Sequence, residues 1–422
     1  MDGSGRELSP WGRRVTLAAA VLGWLCAGVE MGLGPLASRP ALLDLLSRAT
    51  SSRPEEGRVG EWFGRYLCAF LLGGAVGGLV FGRLGDRAGR VRAMGLSILC
   101  FSAFTGASAL VRTPEELLVL RFLASLGVGG MWPCGVALVS EAWPAASRPA
   151  IAGAMGAAAN VGILVMALIG LWGDITPDSW RWAMLVGAAP AVLGAWVLTH
   201  VPESPRWLAQ RLAPGAGRED APVAEVFRPP LLGRTLLGIV LGTIPLLGTW
   251  ASGKWLIPWA DKYGADAAAG AAGTQAVWAS GAVLGGAAGG WLADRLGRRL
   301  CYFLVSLVTL ALNLTIYRGL DPTRPAFLPA VFALGLVATV FFGWLPLYLP
   351  ELFPTRVRAT GSGVTFNFGR FASAAGVLAA GGLMSLFQGD YARVGEVTAW
   401  VYAPGMLLIL LAPDTSKGGL RD

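Results

Sequence analysis

Charge is scarce in this chain: 14% of its 422 residues are Asp, Glu, Lys or Arg, while 54% are hydrophobic. Soluble domains carry nearer a quarter charged residues, so a water-soluble globule is excluded. Lysine is almost missing, with only Lys254, Lys262 and Lys417. The single histidine, His200, closes an apolar run and reads as a boundary residue rather than a proton relay. Cys26, Cys68, Cys100, Cys134 and Cys301 lie in or beside apolar runs without paired spacing, which argues against a disulfide framework or a thiolate metal site. Clustered His/Cys ligands, a phosphate-cradling loop and an exposed Ser/His/Asp set are also missing. No cofactor and no metal are therefore expected, and an enzyme is the weakest of the functional classes. The polar stretch 1–14 has no small-residue cleavage site before the first apolar run, so no removable signal peptide is expected.

What the chain does have is hydrophobic length. Apolar runs of about 18 to 25 residues recur, each long enough to cross a roughly 30 Å hydrocarbon layer as a helix. Strand-type alternation is missing, so a helical bundle is favoured over a barrel. Twelve spans are expected: 14–36, 60–82, 91–112, 115–139, 149–173, 180–200, 234–258, 270–292, 300–318, 325–350, 359–385 and 394–412. Segment 201–233, rich in Pro, Ala, Gly and charge, joins two halves, 1–200 and 234–422, and a short surface helix is expected at 205–212. Glycine pairs such as Gly73-Gly74, Gly77-Gly78, Gly285-Gly286 and Gly289-Gly290 fall inside spans, where small residues let helices approach closely.

The halves repeat one another. Gly82-Arg83-Leu84-Gly85-Asp86-Arg87-Ala88-Gly89-Arg90 returns as Gly290-Trp291-Leu292-Ala293-Asp294-Arg295-Leu296-Gly297-Arg298, 208 positions later. Glu141-Ala142-Trp143-Pro144, followed by Arg148, returns as Glu351-Leu352-Phe353-Pro354, followed by Arg358, at an offset of 210. Two unrelated phrases thus report one duplication, and paired halves are how many secondary transporters build alternating access. The formal charge of +8 is uneven. Arginines of 6–14, 83–92, 148, 206–218, 295–299 and 356–358 fall on one set of loops, while the alternate loops mix signs. The positive-inside rule then places both termini and the repeated phrases in the cytoplasm of an integral membrane protein. The basic balance reads as orientation and contact with the lipid bilayer, with no nucleic-acid partner.

The repeated Gly-x-Leu-x-Asp-Arg-x-Gly-Arg phrase resembles the loops after the second and eighth helices of the major facilitator superfamily. Arg121-Phe-Leu-Ala-Ser-Leu-Gly127-Val-Gly129-Gly130 resembles its fourth-helix motif. Pro202-Glu203-Ser204-Pro205-Arg206-Trp207-Leu208, the stretch from Pro350 to Gly361, and Pro413-Asp414-Thr415 are similar to the sugar-porter branch and its metabolite or aromatic-acid:proton symporter relatives. The resemblance covers nearly the whole chain. It implies an all-α membrane protein with about twelve transmembrane helices in two pseudo-symmetric six-helix bundles. It also implies a cytoplasmic gate in which Asp86, Arg90, Glu141 and Arg148, and their copies Asp294, Arg298, Glu351 and Arg358, form charge networks that differ between conformational states. Carboxylates near helix N-termini fit that role.

Ionisable residues inside a membrane are costly, so each is a functional hypothesis. Glu30 lies roughly 24 Å from Arg14 along the first span, near the far edge of the core, and Arg121 lies about 7 Å in from Glu116. Two opposite charges at one depth are expected to pair. In the related proton-coupled carriers the matching first-helix position is the protonatable carboxylate facing the fourth-helix arginine, in a Gly-aromatic-Asp-Thr context. Here Gly28-Val29-Glu30-Met31 replaces it. Desolvation favours neutral Glu30 and Arg121 favours the anion, so this pair is the candidate for proton coupling; a static ion pair is the alternative. Lys254 lies about 10 Å and Arg370 about 18 Å from the nearer membrane edges. The paired glutamines with which sugar porters read hydroxyls are missing near Lys254, and Gly369-Arg370 is more similar to the organic-anion symporters. Two buried cations favour an anionic substrate; alternatively, Lys254 snorkels outward and Arg370 bonds backbone carbonyls. Trp132, Trp250, Trp255, Trp278 and Trp344 with Asn160, Gln275 and Asn367 are candidates to line the cavity, and of the tryptophans Trp250, Trp278 and Trp344 are deep enough to meet a flat ligand.

The expectation is therefore a monomeric carrier of a small organic anion coupled to protons. A sugar or polyol carrier, or a drug-type exporter, of the same fold is the alternative. A non-transporting membrane sensor is the alternative from another class, disfavoured by the intact repeat and by the absence of a long soluble appendage.

Overall fold

The computed structural model describes residues 8–142, 148–212, 223–354 and 357–415, and among these helix is the only regular structure beyond turns. The first half runs α1 (Pro10–Thr50), α2 (Glu56–Ala88), α3 (Arg90–Ala107), α4 (Pro114–Ala142), α5 (Arg148–Trp172), α6 (Arg181–Ala188) and α7 (Ala191–His200). A short helix α8 (Pro205–Leu212) follows. The second half runs α9 (Leu232–Ala251), α10 (Leu256–Tyr263), α11 (Gly270–Leu296), α12 (Arg298–Gly319), α13 (Phe327–Glu351), α14 (Arg358–Leu386), α15 (Tyr391–Ala399) and α16 (Tyr402–Leu411). Among the described residues eleven helical segments are long and apolar enough to cross a membrane, and the apolar stretch Ala157–Trp172 lies within α5.

Three spans are each made of two helices: α6 with α7 around Pro190, α9 with α10 through a 3-10 turn at Gly253–Trp255, and α15 with α16 at Trp400 and Val401. The first span differs from its expected extent of 14–36, because α1 continues for 41 residues. That is about 60 Å, twice the hydrocarbon thickness. Pro35 and Pro40 sit inside it without ending it. Each proline removes one backbone hydrogen bond, a loss membrane helices tolerate when neighbours hold them. Here Ala41, Leu42, Leu45 and Leu46 beyond the prolines are buried in the bundle core. The N-terminus of α1 is capped by Ser9, whose Oγ accepts from the Gly12 N–H at 3.1 Å, with Pro10 in the first position.

Within the first bundle α2 and α3 pack on α4, and α1 packs on α5; within the second, α11 and α12 pack on α13, and α9 packs on α14. The bundles meet along α2 with α14 and along α5 with α11. Glycine makes the first seam possible: a Cβ at Gly64 would lie 2.5 Å from the Gly381 Cα of the other bundle. The repeated phrase also has a geometric reason. One residue alone, Gly89, connects α2 to α3, and Gly297 alone connects α11 to α12. Their φ values are +111° and +82° with extended ψ, a region open essentially only to glycine.

Gly297→Ala is therefore expected to destabilise the fold by about 1–3 kcal/mol. Gly82→Ala, at a helical position with nothing within 4 Å of a new Cβ, should not. Thermal unfolding of the two variants in detergent checks this, and equal melting temperatures would contradict the strained-turn account.

Candidate functional site

Glu30 of α1 and Arg121 of α4 are 1% and 2% exposed, and the Arg121 Nη1 donates to Glu30 Oε1. The structure thus brings together the two charges placed at one depth. The pair is incompletely satisfied: Glu30 Oε2, Arg121 Nε and Arg121 Nη2 have no hydrogen-bond partner. Two rings of α2 also face the guanidinium. Its Cζ stands 4.9 Å from the Tyr66 centroid and 4.6 Å from that of Phe70, residues one helical turn apart.

A second polar centre lies in the other bundle, where the seventh span breaks. Because α9 ends at Ala251, the 3-10 turn carries Lys254 into the protein interior, where it is 2% exposed. Its Nζ has no hydrogen-bond partner. It stands 4.2 Å from the Trp278 ring centroid on α11 and 5.7 Å from that of Trp250 on α9. Gln275, one turn before Trp278, is fully buried with both amide atoms unpartnered. A Cβ at neighbouring Gly253 would meet nothing within 4 Å. An ammonium, an unsatisfied amide and two indoles thus share one interior region, and buried polar groups of that kind call for complementary partners. The two centres are close to one another: Phe70, which stacks on Arg121, lies 4.7 Å centroid to centroid from Trp250.

Other anticipated residues lie elsewhere. Arg370 reaches across the α2–α14 seam and its Nη1 donates to the Gly74 carbonyl at 3.0 Å, with its guanidinium 4.9 Å from the Phe366 ring. Its guanidinium thus takes the backbone-carbonyl arrangement, the alternative to a free cation facing the cavity. Asn367, one turn earlier, donates to the Gly363 carbonyl of its own helix at 2.9 Å. Asn160 of α5 donates to the Ala282 carbonyl of α11 at 3.3 Å, across the second seam. Trp344 does not join Lys254. It packs between Tyr302 and Tyr348 inside the second bundle and its indole N–H donates to the Arg298 carbonyl at 2.9 Å. Trp132 packs at a tilt against Trp24 within the first bundle, and Trp255 meets Phe63 and Tyr391. A surface cavity of about 570 Å³ between α1, α5, α6 and α7 is walled by apolar residues such as Leu22, Val29, Val192 and Trp196, with no charged side chain in its lining.

At the repeat end, each bundle carries the same device. Arg90 pairs with Asp86 one turn earlier and with Glu141 of α4, 3.5 Å away. Arg298 pairs with Asp294 and grips Glu351 with two bonds of 2.8 and 3.1 Å. Chain segments that leave each bundle dock on it in parallel ways. Ser204 donates to Glu141, and Glu203 accepts from the N–H groups of Arg90 and Val91 at the start of α3. Thr415 donates to Glu351. Arg358 donates to the Phe353 carbonyl at 3.3 Å, and the side chain of Arg148 lies outside the described residues.

At the far end the bundles are tied to one another, and sequence reasoning missed the tie. Arg39 is 6% exposed and pairs with Glu56 of α2 in its own bundle and with Asp261 of α10 in the other, at 2.7 Å. The Tyr391 hydroxyl of α15 approaches Glu56 at 3.4 Å, and Lys262 donates to the Gly389 carbonyl at 3.2 Å. The signal available was an arginine inside an apolar stretch, but the assumed end of the first span at residue 36 put it in a loop.

The family model of the Major Facilitator Superfamily matches residues 62–377. A cis,cis-muconate transport protein of Acinetobacter baylyi is 30% identical over 361 residues, covering 82% of this chain and 85% of that protein. A gallate transporter of Pseudomonas putida is 27% identical over 357 residues, 78% of either chain. Among solved structures, a partially occluded inward-open form of the E. coli xylose transporter aligns with a TM-score of 0.73 at 17% identity, covering 96% of this chain and 100% of that one; the likeness is one of fold.

If the Arg39–Asp261 contact latches the far end, Asp261→Asn should lengthen the distance between spin labels placed at the exposed residues Arg53 and Arg393. Pulsed electron–electron resonance reads that distance directly. A distribution unchanged by the substitution would show that the contact holds nothing shut.

Proposed function

Because the chain belongs to the Major Facilitator Superfamily, it is an integral membrane transporter rather than an enzyme, and we propose that it carries a small organic anion together with protons by alternating access. The observation that carries the substrate class is Lys254: a buried ammonium without a protein hydrogen-bond partner, set against the faces of Trp278 and Trp250. Burying such a charge is costly unless an anion accompanies it. The indoles suit a flat body and the Gln275 amide a second polar contact. Muconate and gallate, named for two of the relatives, are both flat conjugated carboxylates. A neutral sugar offers the ammonium hydroxyl acceptors but no opposite charge. Arg370, Asn367 and Asn160 are proposed to line the substrate path along the two seams rather than to clasp the carboxylate, because their polar atoms already bond backbone carbonyls.

Glu30 is proposed as the proton-binding carboxyl and Arg121 as its partner. The pair is sealed from solvent and one carboxyl oxygen is left unpartnered, so protonation changes the charge balance of a region that water does not screen. The two halves, 1–200 and 234–422, are proposed to rock about the α2–α14 and α5–α11 seams as a monomer, with 201–233 as their link. The arginine-rich repeat end is proposed to face the cytoplasm. The closed far end then corresponds to an inward-facing state. Asp86, Arg90 and Glu141 with Asp294, Arg298 and Glu351 are held ready to engage across the repeat end in the opposite state.

Purified protein reconstituted in vesicles tests both parts. Lys254→Gln should weaken binding of the carboxylate that most stabilises the wild type in a thermal-shift screen, by roughly 30-fold or more. Undiminished affinity would remove the anion site. Glu30→Gln should abolish uptake driven by a pH gradient while leaving binding measurable, and gradient-driven uptake at the wild-type rate would end the coupling proposal.

A further inference from the structure

The proton-binding pair sits in the first bundle and the substrate ammonium in the second, so coupling them requires a contact that touches both. Phe70 of α2 is 5% exposed and makes that contact. The Arg121 guanidinium stands 4.6 Å from its ring centroid, and the Trp250 ring of the opposite bundle stands 4.7 Å from it at an interplanar angle of 35°. Trp250 in turn lies 5.7 Å from Lys254 Nζ, which also rests on Trp278. The order Glu30, Arg121, Phe70, Trp250, Lys254 is therefore unbroken, and it crosses the boundary between bundles at the Phe70–Trp250 contact. We infer that Phe70 is the positioning residue through which the protonation state of Glu30 reaches the Lys254 site, an inference that rests on the proton-coupled anion reading above.

The physical step is a transfer of partners. With Glu30 ionised, its carboxylate balances the Arg121 charge. When Glu30 takes a proton the carboxyl becomes neutral and the guanidinium keeps its charge, with the faces of Phe70 and Tyr66 as its nearest electron-rich neighbours. Arg121 then draws on Phe70, and Phe70 bears on the Trp250 wall of the substrate site. Other ionisable groups do not stand in for it. Tyr66 of α2 is the further titratable side chain facing the pair. Toward Glu30, α3 brings Thr105 and α6 brings Gly187, and neither titrates in the relevant range. Cys26, one turn earlier on α1, lines the apolar groove beside α6 and α7. Farther along α1, Arg39 is occupied with Glu56 and Asp261. By linkage, whatever free energy passes from Glu30 to Lys254 passes equally in reverse, so anion affinity must depend on pH through the same ring.

Binding of gallate and of cis,cis-muconate is measured by calorimetry at about pH 5.5 and about pH 7.5, where both probes are ionised. The proteins are the wild type, Glu30→Gln, Phe70→Leu, Phe70→Met and Phe70→Tyr. The wild-type affinity is expected to change roughly fivefold or more between the two conditions. Glu30→Gln, Phe70→Leu and Phe70→Met should each flatten that change, and Phe70→Tyr, which keeps the ring face, should retain it. A slope lost in Glu30→Gln but kept in Phe70→Leu or Phe70→Met overturns the assignment of Phe70 alone. A slope that Glu30→Gln leaves intact, or binding of neither probe to the wild type, overturns the underlying reading and this inference with it.

Discussion

A carboxylate and a guanidinium sealed among apolar helices hold one another in place, and neither tolerates isolation. Taking one member of a buried pair away costs about 3–5 kcal/mol, because the other is left uncompensated. A ring face returns about 0.5–2 kcal/mol to a nearby cation. The rings of Tyr66 and Phe70 against Arg121 therefore offset part of the loss of Glu30 as a counter-ion, and not all of it. On the proposed proton-binding role of Glu30, the remainder is what would drive rearrangement when its carboxyl is protonated. A fully compensated pair would be inert, and an uncompensated one would not fold. The incomplete hydrogen bonding of Glu30 and Arg121 places this pair between those limits.

The two ends of the molecule solve different problems. At the repeat end, each arginine is held by an aspartate one turn away on its own chain segment and by a glutamate from a helix in the same bundle. The aspartates remain more than half exposed, so these clusters keep acceptor capacity toward a second partner. At the far end, Arg39 is shared between one carboxylate of its own bundle and one of the other. An arginine with two acceptors in a fixed fork suits such a bridge better than a lysine, since several donors are satisfied at once. The repeat-end clusters therefore stay within their own bundles, whereas Arg39 at the far end also joins the two, an asymmetry between ends that suits a rocking motion.

The depth of a side chain was legible from the sequence; its azimuth was not. Counting helical rise from flanking charges put Glu30 and Arg121 at one level, and helices that pack side by side leave little freedom for two opposite buried charges at one level to miss each other. Trp344 reads from the sequence as deep enough to meet a flat ligand, but its indole turns into the core of its own bundle, toward the Arg298 carbonyl. Arg370 found a backbone carbonyl, a partner without any sequence signature. Arg39 fell outside the expected first span of 14–36, whereas the helix runs on through Pro35 and Pro40 to Thr50. Phe70 was invisible for a different reason: an aromatic residue in an apolar span is ordinary until its neighbours are known. The turns at Gly89 and Gly297 were visible as a repeated phrase, yet the requirement for left-handed backbone emerged only from the one-residue connections.

Duplication explains the scaffold, and departure from duplication explains the chemistry. Positions 208 to 210 residues after Glu30 hold Gly238, Ile239 and Val240, and those after Arg121 hold Pro329, Ala330 and Val331. The second bundle therefore has no copy of the buried pair, and instead carries Lys254, Gln275 and Trp278 at its interior break. A symmetric protein with a proton site in each half would have two equivalent couplings, one within each bundle, each reciprocal. Here Glu30, proposed as the titrating group, and Lys254, proposed to seek the anion, sit in different bundles, with the Phe70–Trp250 contact between them. Rocking and coupling then become one event, because the seam that must slide for access to alternate is also the seam across which the two charges communicate.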